Sequence, residues 1–230
     1  MGPESTAELL VHLTRCTPAA VEQDHFRVVV DSNPKIPNRT EALLSGELEP
    51  VIRAMADTAL NLEKAGAEII GIPCNTAHAF LADVRKFVEI PVVDMVDATA
   101  RRASELFEPG SAVGLLATDG TVRTRLYHEA LERYGLMAIA PPTPGVQNAI
   151  MDALEAVKIH GVSLDIYQAL ALGVRDLVTE NVAGLIAGCT EVSLVFLRHE
   201  PELPWIDPLQ VLAGTLVDEA SKTEVAGELR

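Results

Sequence analysis

Apolar positions along the chain fall into short aliphatic runs, at residues 26–30, 69–72, 91–93, 112–117, 136–140, 185–187 and 205–206. Their brevity and their valine and isoleucine content predict strands buried on both faces, as in a parallel sheet held between helix layers. Between them lie segments of helical period at 51–65, 122–134, 164–179 and 209–220; in the first of these Ile52, Met55, Ala59 and Leu62 share one face. Strand and helix alternate throughout, so the predicted class is α/β.

The two halves of the chain repeat one local pattern. Ile69-Ile70-Gly71-Ile72-Pro73-Cys74-Asn75-Thr76 and Leu185-Ile186-Ala187-Gly188-Cys189-Thr190-Glu191 each run from an apolar strand into a cysteine, polar residues and a helix. This predicts two similar parallel-sheet lobes with the active site between them, residues 1–95 and 96–207, crossing over near 94–97. The terminal helix, 208–230, is expected to pack back on the first lobe. The beginning departs from the pattern. Met1-Gly2-Pro3-Glu4-Ser5-Thr6 reads directly as a helix entry, with proline and acidic or hydroxyl residues ahead of Ala7-Glu8-Leu9-Leu10. The first strand of lobe 1 is therefore expected to be missing.

Composition narrows the class. The chain has 230 residues, 48% of them hydrophobic, with 18 basic and 33 acidic side chains, a net charge of −15. Such a field repels phosphate backbones and anionic lipid, so neither nucleic acid nor a membrane is expected as a partner. A small anionic ligand would need positive charge focused locally. Three cysteines, Cys16, Cys74 and Cys189, are too few and too scattered for a disulfide framework or a zinc cluster. No apolar stretch approaches the ~20 residues of a membrane span, and the expected location is cytoplasmic. Glycine-rich dinucleotide and Walker phosphate loops are lacking, and no lysine has a Schiff-base context, so nicotinamide, nucleoside triphosphate and pyridoxal phosphate are not indicated.

Cys74 and Cys189 stand where a buried strand gives way to a helix, the edge at which open α/β sheets bind ligands. The partial positive charge of a helix start lowers a thiol's pKa, so either cysteine is expected to be partly thiolate near neutral pH. A lone strand-end cysteine is more often a small apolar filler. Two in matching settings point instead to a pair of acid/base groups facing one carbon, one removing a proton and the other supplying one to the opposite face. Cys16, at a helix end, lacks that setting and reads as structural.

Ser32-Asn33-Pro34-Lys35-Ile36-Pro37-Asn38-Arg39-Thr40, Pro73-Cys74-Asn75-Thr76-Ala77-His78 and Gly188-Cys189-Thr190-Glu191 together resemble the three signature segments of the cofactor-independent aspartate/glutamate racemase superfamily, on its aspartate racemase branch. The opening Met-Gly-Pro-Glu-Ser-Thr resembles the family's first loop, which usually follows a strand. The resemblance implies that Cys74 and Cys189 are the acid/base thiols, with Asn33, Asn75, Thr76, Thr118 and Thr190 bonding the substrate's carboxylate and amine. Arg39 and Lys158 look like the cations that hold the distal carboxylate; Lys158 reads equally as a solvated helix-end lysine. His78, one helical turn past Cys74, either tunes that thiol or packs. Glu191 stands where the glutamate branch has histidine; it either handles a proton or offsets the dipole of a helix start. Thr118 reads both as a substrate contact and as a helix cap. The resemblance implies a small acidic amino-acid substrate, no cofactor and a homodimer. Two alternatives stay open: a glutamate, broad-specificity or maleate-isomerase-like relative, and a non-catalytic ligand-binding homologue lacking its first strand.

Overall fold

The computed structural model describes residues 2–143 and 145–228, with side chains described as far as Lys222. Residues 229–230, the end of the expected terminal helix, lie outside the described residues. In chain order the elements are α1 (Pro3–Cys16), α2 (Arg39–Ser45), α3 (Glu49–Lys64), α4 (Leu81–Val84), α5 (Met95–Leu106), β1 (Ala112–Ala117), α6 (Asp119–Arg123), α7 (Leu126–Arg133), β2 (Met137–Ile139), α8 (Val146–His160), α9 (Leu164–Thr179), β3 (Gly184–Gly188), α10 (Thr190–Phe196), β4 (Trp205–Ile206) and α11 (Pro208–Glu228). Single turns of 3₁₀ helix occupy Glu22–Asp24 and Thr76–Phe80. Helix starts follow local chemistry. The side chains of Asn38, Asp94, Thr118 and Ser163 accept backbone N–H groups of the first turns of α2, α5, α6 and α9.

The sheet is parallel, in the order β2-β1-β3-β4, with Val113 opposite Gly184 and Ala117 opposite Gly188. Helices cover both faces. On one side Leu116, Leu185 and Val192 meet Ile150, Leu154 and Leu170 of α8 and α9. On the other, Val113, Leu115 and Ile186 meet Ala100, Tyr127 and Leu131 of α5 and α7. This is the α/β arrangement that the aliphatic runs predict, since strands covered on both faces have no polar alternation. One predicted helix is split. The segment expected at 122–134 breaks after α6, where the Thr124 hydroxyl donates to the Gly120 carbonyl (2.6 Å) and Arg125 turns left-handed, with φ of 57°.

The first half is built differently. Residues 69–72 and 91–93 touch at one parallel bridge, Ile70 to Val92, where Ile70 N–H donates to Pro91 and Val93 N–H donates to Ile70, each at 2.9 Å. Residues 26–30 are extended but join no sheet, with Val28 and Val30 43% and 48% exposed. The strand expected at 26–30 is thus absent, because an extended run needs a neighbour to receive its backbone groups. Instead a cavity of about 630 Å³ opens between residues 26–31, residues 69–73, α1 and α11. Around it, Val51, Met55, Phe80 and Val84 hold α3 and α4 together. Leu9 of α1 meets Leu209, Leu212 and Leu216 of α11, so the C-terminal helix returns to the N-terminal one.

Candidate active site

Cys189 follows directly on β3. Gly188 makes that exit close: a β-carbon there would lie 2.5 Å from the Leu115 side chain and 2.8 Å from that of Ala117. The thiol is 7% exposed and donates to a carboxylate oxygen of Glu191 at 2.8 Å. Burial, and then the negative charge of Glu191, push its pKa well above the ordinary thiol value, with Lys158 opposing them. The expectation that either cysteine is partly thiolate near neutrality is therefore corrected for Cys189. Its proton is held, because burial and an adjacent carboxylate outweigh the start of a seven-residue helix.

Glu191 is itself 5% exposed, and it accepts from the Thr190 hydroxyl at 3.3 Å as well. Thr190 in turn accepts from Ser5 of α1 at 2.7 Å. A chain of hydroxyls thus links the N-terminal helix to the carboxylate that holds the thiol. Of the two roles open for Glu191, the bond to Cys189 favours handling a proton over offsetting a helix dipole.

Cys74 leaves the segment 69–72 through a tight turn, its N–H donating to Ile72 at 2.8 Å, and is half-buried. Next to it, Asn75 is 2% exposed; its Oδ1 accepts from the Tyr127 hydroxyl at 2.5 Å, and its Nδ2 is buried without a partner. Thr76, Thr118 and Thr121 form a buried triangle of hydroxyls with edges of 2.9, 2.9 and 3.2 Å. Gly120 permits this approach, since a β-carbon there would come within 3.0 Å of both Thr40 and Thr76. Thr118 also accepts from Thr121 N–H at 3.3 Å, so cap and site positions coincide.

His78 is a clip. Its Nε2 accepts from Met95 N–H at 3.1 Å, which leaves the ring proton on Nδ1, and that nitrogen donates to the Cys74 carbonyl at 2.9 Å. Burial holds the imidazole below its ordinary pKa, so the neutral form persists. The His78 bond is to the backbone of Cys74, not to its thiol.

Arg39 opens α2 and donates through Nη1 to the carbonyls of Ile36 (3.1 Å) and Pro37 (2.8 Å), while its Nε is buried without a partner. Lys158 is exposed in the last turn of α8, close enough to act on the Cys189 thiol. Asn33 bonds Thr58 (3.1 Å) and the N–H of Lys35 (3.0 Å) and lines the 630 Å³ cavity. Tyr127 of α7 bonds Asn75, which ties the first cysteine segment to the second half of the chain. Neither that cavity nor a second one of about 350 Å³ beside Asp94 and Arg101 is lined by Cys74 or Cys189.

Over residues 1–216 the sequence matches the Asp/Glu/Hydantoin racemase family. The chain belongs to that family. It is 24% identical over 221 residues to the broad specificity amino-acid racemase RacX of Bacillus subtilis (strain 168), covering 94% of this chain and 93% of that one. It superposes on Picrophilus torridus aspartate racemase with a TM-score of 0.78 at 28% identity, covering 96% of this chain and 90% of that one. A putative Asp/Glu racemase from Yersinia pestis shares the fold, with a TM-score of 0.76 at 23% identity and 94% of each chain covered. The protein is accordingly an isomerase of the racemase type.

In this racemase the structure gathers Asn75, Thr76 and Thr118 around one junction, with Cys189, Thr190 and Glu191 on a second network that ends at Ser5. Asn33 is held in its own turn, facing the apolar cavity. Ser5, Tyr127 and Thr121 enter the site without having been singled out in the sequence. Ser5 lies in the opening segment that resembles the family's first loop. Tyr127 carries no motif; its part follows from where α7 packs.

Proposed function

We propose that the protein racemises a small acidic amino acid, aspartate first, by two-base proton transfer at Cα between Cys74 and Cys189. In one direction the Cys74 thiolate removes the Cα proton, leaving a carbanion whose charge spreads into the α-carboxylate. The Cys189 thiol gives its proton to the opposite face and becomes the thiolate. Reversal uses the opposite protonation pattern. The observation that carries the reading is the bond from Cys189 to Glu191, which keeps a proton on one of the two sulfurs. Racemisation needs that inequality, since two thiols or two thiolates could not relay a proton.

The free Nδ2 of Asn75 suits the α-carboxylate, and Thr76 and Thr118 stand beside it. Arg39 and Lys158 supply the local positive charge that a −15 protein needs for a dicarboxylate. Binding between the two cysteine segments would hold the substrate in place; orientation of this kind contributes about 7–11 kcal/mol in favourable systems. A homodimer and a two-lobe division at residues 95 and 207 belong to the same proposal. A broader substrate range is favoured by one feature: Nη1 of Arg39 is engaged by backbone carbonyls, leaving less of the guanidinium for a distal carboxylate.

The test is deuterium incorporation at Cα from D₂O with each aspartate enantiomer, in wild type, Cys74→Ser and Cys189→Ser. Racemisation should fall by about 10²–10⁴-fold in both variants, as expected for loss of an acid or base. Each should retain washout of one enantiomer's Cα–H. Full racemisation in both single variants excludes the mechanism, and turnover of other amino acids at the aspartate rate decides for the broad range.

A further inference from the structure

We infer that Tyr127 is a positioning residue that fixes the Asn75 amide with its NH₂ toward the reacting amino acid. The inference rests on the racemase reading of the cysteine site. A primary amide is nearly symmetric in shape but opposite in chemistry at its two ends, one accepting and one donating. A flip of Asn75 would turn a carboxylate-binding donor into a repelling acceptor.

The geometry decides which way it points. The Tyr127 ring is fully buried, and burial keeps the phenol protonated, so its O–H is always available to donate. That O–H donates to Asn75 Oδ1, and the 2.5 Å separation suits O–H···O. With Oδ1 so engaged, Nδ2 faces away from the phenol, buried and unpartnered. Buried amide donors almost always have an acceptor, so this one awaits a ligand oxygen. Asn75 is joined to Cys74. The oxygen that best fits that place is the α-carboxylate, which gains negative charge as Cα is deprotonated. Tyr127 comes from α7 and Asn75 from the first half, so the donor is aimed only when the two halves meet.

Tyr127→Phe should lower kcat by roughly 10- to 100-fold, below the effect of losing a fixed donor outright, with KM for aspartate changed less than threefold. Asn75→Ala should lower it further, and the double variant should be no worse than Asn75→Ala alone. Multiplying effects, or wild-type kcat in Tyr127→Phe, overturn the inference. If Tyr127→Phe does not fold, Asn75→Asp serves: it keeps an acceptor for Tyr127 and removes only the NH₂, so wild-type turnover there overturns the inference equally. A second readout does not depend on turnover. The side-chain ¹⁵Nδ2 shift of Asn75 should move in Tyr127→Phe, because the amide loses the hydrogen bond to Oδ1 that polarises its C–N bond. An unmoved shift overturns the positioning role even if aspartate proves not to be a substrate, whereas loss of Cα exchange in wild type with that bond intact counts against the racemase reading alone.

Discussion

The two cysteine segments begin from the same kind of sequence and arrive in different surroundings. In the second half, β3 has neighbours on both edges and helices on both faces, and Cys189 leaves it as a buried thiol hydrogen-bonded to Glu191. In the first half, residues 69–72 share one bridge with Val92 and border a 630 Å³ apolar cavity, and Cys74 is half-buried with a clip on its carbonyl. A strand-like run becomes a strand only where neighbours receive its backbone groups. The proposed acid/base pairing would gain from the contrast, because the Cys189 thiol is buried against Glu191 while Cys74 is nearer to solvent.

The largest expected effect on this contrast is in stability. Leu185 lies fully buried in β3, and Leu185→Ala should cost about 2–5 kcal/mol, the usual range for a core leucine. Leu9, though 7% exposed, already borders the cavity, so Leu9→Ala should cost less than about 2 kcal/mol, near the bottom of that range. Urea denaturation of both variants checks this; equal losses would mean that the first half is packed as well as the second.

An intermediate effect should come from Glu191→Gln. The carboxylate is second only to burial in raising the Cys189 thiol, so its removal should move that titration to lower pH by less than burial moved it up. The pH dependence of Cys189 alkylation in a Cys16→Ser, Cys74→Ser background reads this directly. An unmoved profile would assign the difference between the cysteines to burial alone.

The smallest effect concerns the clip. Burial holds His78 below its ordinary pKa of 6.5. As pH falls through and below that value, the unfolded chain binds a proton that the folded chain does not, so stability declines toward acid. His78→Gln lacks this titration and should show a shallower acid slope in denaturation midpoints between pH 7 and 5, even if it is less stable at neutrality. Parallel slopes would remove His78 from the acid response.

Legibility tracked the number of neighbours that an element needs. The runs at 112–117 and 164–179 coincide with β1 and α9, whose aliphatic content or helical period suffices to predict them. The run at 26–30 has strand composition but no partner, and 122–134 has helical period but a threonine that bonds back four residues and breaks it. Cys74, Cys189, Thr118 and Glu191 could be singled out by motif. Ser5 lies in a motif-like opening segment without standing out in it, and Tyr127 carries no motif, since a tyrosine in an amphipathic helix looks like many others.

By itself the sequence determined the α/β class, the parallel order implied by aliphatic strands between helices, and two cysteines at strand ends, because periodicity and local turn chemistry act over a few residues. Only the tertiary structure decided that Cys189 holds its proton, that Asn75 presents a donor, and that one half closes its sheet while the other surrounds a cavity. Those outcomes depend on burial and on groups far apart in the chain, Ser5 against Thr190 and Asn75 against Tyr127, whose meeting no local pattern encodes.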